Sequence, residues 1–111
     1  MSECLFCKIV NGEIPSESIF KSEKVYAFRD IYPQAKEHIL FIHKNHTSNI
    51  SEMSSEEFSD VFSAIKDYAI GNNLEKEGFR VVNNCGELAG QSVFHTHFHV
   101  LFGEKLGQFG S

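Results

Sequence analysis

The residues with the most chemical capacity form one short run, His95-Thr96-His97-Phe98-His99, followed by Val100 and Leu101. A strand has a side-chain period of two, so this spacing predicts three imidazoles on one face and Phe94, Phe98 and Val100 on the other. Buried imidazoles each need a hydrogen-bond partner, which makes three in a row a poor core filling and a good site. At about 3.3 Å per residue, His95 and His99 stand some 13 Å apart, too far to share one metal with His97 between them. Their duties must divide. In one division His95 and His97 hold a catalytic zinc. In the other, His95 joins a structural metal and leaves His97 free as a nucleophile at phosphorus, with His99 in support. Gly90-Gln91-Ser92, just upstream, suits close backbone approach to an anion.

Cys4-x-x-Cys7 has the spacing of half a tetrahedral zinc site that two neutral imidazoles would complete. A redox pair of the thioredoxin type would sit between a strand and a helix well inside the chain, whereas this pair lies at residue 4. An odd count of three cysteines argues against a disulfide framework. Cys85 reads as a small loop residue.

The elements that must position these groups can be read from patterning. Ser54 and Glu57 have capping-box spacing, and Phe58, Val61, Phe62, Ile65 and Ala69 recur at helical intervals up to Gly71, predicting one amphipathic helix that covers a sheet. Segments 19–21, 25–30, 39–43, 79–84 and 94–102 are short and rich in β-branched or aromatic residues, predicting five strands. Ser22-Glu23-Lys24 is short enough to close a hairpin between the first two, so the pairing should be mainly antiparallel. Leu5–Val10 predicts a short helical turn. The fold class is therefore α+β, a five-stranded sheet with one long helix and a short N-terminal one.

With 111 residues, 41% of them hydrophobic, and no internal repeat or Pro/Gly/Ser linker, the sequence makes a single domain over 1–111. Eleven Phe and no Trp predict a core of Phe and aliphatic side chains. The net charge of −5, with acids and bases scattered, excludes a nucleic-acid binder that relies on a basic surface. No apolar run approaches the roughly 18 residues of a membrane span, and no basic stretch leads an apolar one at the start, so a soluble cytoplasmic protein is expected.

The whole stretch from Ala89 to Leu101 resembles the signature of the histidine triad family, in which three histidines alternate with apolar residues, and is similar to its nucleotide-binding branch. Phe28-Arg29-Asp30-Ile31, Pro33-Gln34-Ala35, His38 with the apolar residues after it, and the strand ending at Asn84 extend the resemblance over nearly the entire chain. The resemblance implies hydrolysis of a purine nucleoside phosphoramidate or a dinucleoside polyphosphate: His97 attacks the α-phosphorus, a nucleotidyl-histidine forms, and water releases the nucleoside monophosphate. It implies that His99 binds the phosphate and helps proton transfer, and that His38 stands behind the nucleophile. Asn84, Gly90, Gln91 and Ser92 would contact the phosphate or leaving group. Asn84 is preferred over Asn83 on family spacing. Asp30 would accept from the ribose hydroxyls, and Leu5, Phe6, Phe28 and Ile31 would wall the base. The remaining zinc ligands would be His46 and His95, giving one structural zinc per chain. A pair of His43 with His46 is a second possibility, which strand geometry disfavours. The resemblance further implies a two-fold dimer that joins two five-stranded sheets.

Two departures stand out. Thr96 occupies a position the signature gives to an apolar residue, and Leu106-Gly107-Gln108-Phe109 replaces the Trp-Pro-Pro-Gly tail frequent in nucleotide-binding members. Two other functional classes compete: a hydrolase using catalytic zinc, and a nucleotide-binding regulatory module with negligible turnover.

Overall fold

A computed structural model describes residues 4–110. In chain order the elements are α1 (Leu5–Val10), β1 (Ser18–Lys21), β2 (Val25–Arg29), β3 (Glu37–His43), a 3₁₀ turn at Ile50–Glu52, α2 (Ser55–Gly71), α3 (Leu74–Glu77), β4 (Arg80–Val82), a 3₁₀ turn at Glu87–Ala89 and β5 (His97–Phe102). The five strands form one antiparallel sheet in the order β1-β2-β3-β5-β4. Last in the chain, β5 is thus inserted between β3 and β4 inside the sheet.

The sheet separates two cores, and the period of two sorts side chains between them. Val25, Ala27, Ile39, Phe41, Phe98 and Val100 face α2, whose Val61, Ala64 and Ile65 complete that layer. Fully burying side chains of the size of Val61 and Ile65 is worth about 1.5–3 kcal/mol each. The helix starts where its sequence says it should: the Ser54 hydroxyl accepts from the Glu57 amide, and the Glu57 carboxylate accepts from the Ser54 amide. Tyr26, Phe28, Leu40 and Ile42 face the other way and pack on Phe6 and Ile9 of α1. Register pairs His97 with Ile42 and His99 with Leu40, which puts both histidines on the α1 face.

Three strands differ from the expectation by two residues or more at one end, while β1 starts one residue early, at Ser18, and β2 ends one residue early, at Arg29. The strand expected over 94–102 begins only at His97, because Thr96 turns aside to bond another loop: its amide donates to the Thr47 carbonyl at 2.8 Å, and the two threonine hydroxyls lie 2.7 Å apart. The strand expected over 79–84 is only Arg80–Val82. In the third case, β3 starts two residues early, at Glu37, where the Glu37 carboxylate meets the Arg29 guanidinium of β2.

Candidate functional site

His97 opens β5 with its ring only 7% exposed and Phe6 packed edge-on at 5.1 Å between centroids. Its Nδ1–H donates to the His95 carbonyl at 2.8 Å. That bond assigns the tautomer: Nε2 keeps its lone pair and is the nitrogen able to attack. Burial holds the His97 ring below the ordinary histidine range, so it is neutral at pH 7.

A second set of contacts lies beside it. The Gln34 amide donates to His38 Nδ1 at 2.9 Å, so the neutral His38 ring carries its proton on Nε2 and donates to His99 Nδ1 at 2.8 Å. His99 then has its own proton on Nε2. Burial, with His97 and His38 adding repulsion, pushes His99 down to about 4. Burial also lowers His38, against the pull of Asp30, whose carboxylate lies 3.5 Å from His38 Nε2. Asp30 is held in place because its other oxygen accepts from the Tyr32 amide at 2.8 Å.

These groups line a cavity of about 500 Å³ that also takes in Leu5, Phe6, Phe28, Ile31 and Ser92. One end is apolar and the other holds the histidines. Leu5, Phe6, Phe28, Ile31, Asp30, Ser92, His38, His97 and His99 all line this cavity, with Ile31 81% exposed at the rim. Asn84, Gly90 and Gln91 do not line the cavity. Gln91 is buried as a staple: its side chain donates to the Ser48 and Val93 carbonyls and accepts from the Gly86 amide. The Gly90 amide, in the stretch expected to approach an anion, donates instead to the Glu87 carbonyl within a tight turn. Asn83 rather than Asn84 reaches the active strand, donating to the His97 carbonyl at 2.9 Å. Family spacing alone had favoured the neighbour, and only the early end of β4 turns Asn83 inward.

Cys4, Cys7, His46 and His95 form a separate cluster whose ligand atoms lie within 4.8 Å of one another. Nδ1 of His95 is 3.4 Å from the Cys4 sulfur, 3.5 Å from the Cys7 sulfur and 3.2 Å from His46 Nδ1. The edges of a tetrahedron built on ordinary zinc–nitrogen and zinc–sulfur bonds are roughly 3.3–3.8 Å. His95 Nε2 lies 2.9 Å from the His43 carbonyl and donates to it, leaving Nδ1 as the lone pair among the sulfurs. The donor set, the separations and the tautomer all fit a tetrahedral cation. Without one, burial and the neighbouring Cys4 push the Cys7 thiol up to about 11. His43 takes no part: its Nδ1 accepts from the Asn45 amide and its Nε2–H donates to Asp60 of α2 at 2.8 Å. Asp30, His38 and His99 also converge, but Nδ1 of His38 is engaged by an N–H and its Nε2 carries the proton, so that group offers a cation no lone pair on His38.

The pattern that defines the HIT domain matches residues 11–106. The chain belongs to the HIT domain family. This HIT domain is 42% identical over 108 residues to an uncharacterized HIT-like protein of Rickettsia prowazekii, covering 94% of this chain and 90% of that protein. It is 37% identical over 106 residues to an adenosine 5'-monophosphoramidase of Candida albicans, covering 90% and 70%. Among solved structures, a histidine triad protein from Clostridium difficile superposes with a TM-score of 0.91 at 39% identity, covering 99% of this chain and 98% of that one. A HIT family hydrolase from Clostridium thermocellum gives 0.90 at 37% identity, with 98% and 97% covered. The HIT match begins at residue 11, so the cysteine pair of this HIT domain lies outside it while His38, His97 and His99 lie within. No described helix is long and apolar enough to cross a membrane.

Proposed function

We propose that this HIT domain hydrolyses a nucleoside 5'-phosphoramidate, releasing the nucleoside monophosphate through a covalent nucleotidyl-His97 intermediate. The observation that carries the reading is the His97 tautomer: a neutral ring, anchored through Nδ1–H to the His95 carbonyl, offers its Nε2 lone pair to the cavity. A bond forms between Nε2 and the α-phosphorus as the phosphorus–nitrogen bond of the substrate breaks, and the amine leaves with a proton from solvent. Positive charge then spreads over the His97 ring, which strengthens the bond from Nδ1–H to the carbonyl as the charge develops. His99, prevented from presenting Nδ1 by the proton on His38, turns Nε2–H toward a phosphate oxygen. Water displaces His97 in the second step, a proton passes to solvent, and the lone pair returns to Nε2. Ser92 adds a hydroxyl at the phosphate end, Asp30 accepts from the ribose hydroxyls, and Leu5, Phe6, Phe28 and Ile31 cover a purine base. The similarity to an adenosine 5'-monophosphoramidase supports this substrate class.

In the same reading Cys4, Cys7, His46 and His95 hold a structural zinc ion, which supplies cross-linking between α1 and the segment before β5 rather than Lewis-acid chemistry. Two copies join through the free edge of β4, where Phe62, Ile70 and Val81 leave apolar surface exposed.

The test is intact-protein mass during a single turnover with adenosine 5'-phosphoramidate, quenched without acid because phosphorus–nitrogen bonds to histidine are acid-labile. A transient gain of one nucleotidyl group, absent in His97→Ala, is expected. Product without adduct, in a reaction that a chelator stops, would replace this reading with metal-activated water; binding without product would leave a nucleotide-binding module.

A further inference from the structure

One polar pair at the apolar end of the cavity is used by nothing described above. Ser16 lines the cavity, half-buried, and its Oγ lies 2.8 Å from the phenol oxygen of Tyr26, which is 9% exposed. Their place follows from the rings between them and the nucleophile. His97 packs on Phe6 at 5.1 Å, Phe6 on Phe28 at 5.3 Å, and Phe28 on Tyr26 at 5.8 Å. Register puts Tyr26 across Ile42 of β3 from His97, and the pair stands on the β2 side of this aromatic run, beside Ile14 and Pro15, where the cavity would receive a part of the nucleotide away from its phosphate. Arg29, also at the wall, is tied to Glu17 and Glu37, and Tyr32 is 75% exposed at the rim. Ser16 is thus the polar side chain that the apolar end presents.

The direction of the bond follows from acidity. A phenol is a far stronger acid than an aliphatic alcohol, which favours the arrangement in which Tyr26 O–H donates to Ser16 Oγ. The Ser16 O–H is then left to donate into the cavity. A half-buried hydroxyl in a largely apolar wall forms a stronger hydrogen bond to an acceptor that displaces water from it than the same group does in open solvent. The distal edge of a purine carries ring-nitrogen acceptors. A pyrimidine, one ring shorter, holds its acceptors nearer the ribose.

We propose that Ser16, held in place by Tyr26, is a specificity-determining residue of this HIT domain that donates a hydrogen bond to a ring nitrogen of a purine base. The proposal rests on the nucleotide reading above and deepens it.

The experiment is equilibrium titration of adenosine and uridine 5'-monophosphates into the full chain and its variants. Ser16→Ala is expected to weaken the adenosine nucleotide about three- to tenfold, the loss of one neutral hydrogen bond, while moving the uridine nucleotide by less than about twofold. Ser16→Thr keeps the hydroxyl and should keep the purine-to-pyrimidine ratio. Tyr26→Phe keeps the ring but frees the Ser16 rotor, and a smaller loss in the same direction is expected. Equal losses for both nucleotides, or an unchanged adenosine affinity in Ser16→Ala, would overturn the assignment of Ser16 while leaving the nucleotide site standing. Failure of the unsubstituted chain to bind either nucleotide would overturn both, and is seen before any variant is made.

Discussion

His95 and His97 are two residues apart, each donates one N–H to a backbone carbonyl, and each leaves its other nitrogen bare, yet the bare nitrogens are opposite ones. His95 gives Nε2–H to the His43 carbonyl and turns Nδ1 toward two sulfurs; His97 gives Nδ1–H to the His95 carbonyl and turns Nε2 toward the cavity. The cause lies in the backbone around them. His95 is held off the sheet by the Thr96–Thr47 contacts and so meets the loop after β3, whereas His97 is the first residue paired in β5. One residue type thereby serves two chemistries, a cage of lone pairs that suits a cation and a single lone pair backed by donors that suits phosphorus. The two clusters remain joined by α1, which Cys4 caps, which carries Cys7 in its first turn, and which places Phe6 against both His95 and His97.

The largest effect is expected at the nucleophile. His97→Ala should lower turnover of a nucleoside phosphoramidate by at least about a thousandfold, as loss of a nucleophile does elsewhere, with no change in metal content. A fall in bound metal measured by atomic emission would show that the clusters are not separate. Cys4→Ser addresses the other side: a cation present at a hundred times its Kd contributes about 2.7 kcal/mol, so loss of the site should lower Tm on the order of 10 °C, read by differential scanning calorimetry. Unchanged Tm and unchanged zinc content would dismiss the metal site.

Acid should act on the cavity side as well. His99 has a folded pKa of about 4 against an ordinary value of 6.5, with burial the main cause, and His38 is lowered in the same way. Between those values the unfolded chain binds more protons than the folded one. Stability from His99 is therefore complete above about pH 6.5 and declines as pH falls toward 4, with a slope of up to about 1.4 kcal/mol per pH unit, and His38 acts in the same direction. Tm measured across that window in wild type and His99→Gln should show a shallower decline in the variant; parallel curves would remove His99 from the account. The smallest effect is expected at the ribose. Asp30→Ala should weaken an adenosine nucleotide about fivefold and its 2',3'-dideoxy analogue hardly at all, since one charge-assisted contact is lost from a partly solvated site. Equal losses for both ligands would rule out that contact.

Much of this could be read from the chain because it depends on local period and spacing. Alternation placed His97 and His99 together opposite Phe98 and Val100, the Ser54–Glu57 spacing located the start of α2, and Cys4-x-x-Cys7 announced half a cage. What could not be read depends on contacts between distant segments. Nothing local distinguishes Asn83 from Asn84, because which of them turns inward is set by where β4 stops pairing with β5. Gln91 sits among residues that suit an anion, but the Ser48 carbonyl and Gly86 amide are there to take its side chain inward. Thr96 departs from an apolar pattern and is buried all the same, because Thr47 meets its hydroxyl.

Residue types, strand and helix periods, and the two sets of chemically capable side chains all follow from covalent order and steric preference over a few residues, and so are legible in the chain alone. The tertiary structure decided which nitrogen of each histidine is bare, which asparagine serves the active strand, and that Ser16 meets Tyr26 at the far end of the cavity. A hydrogen bond depends on tenths of an ångström between segments as far apart in the chain as His43 and His95, and only packing of the two cores against the sheet sets those distances.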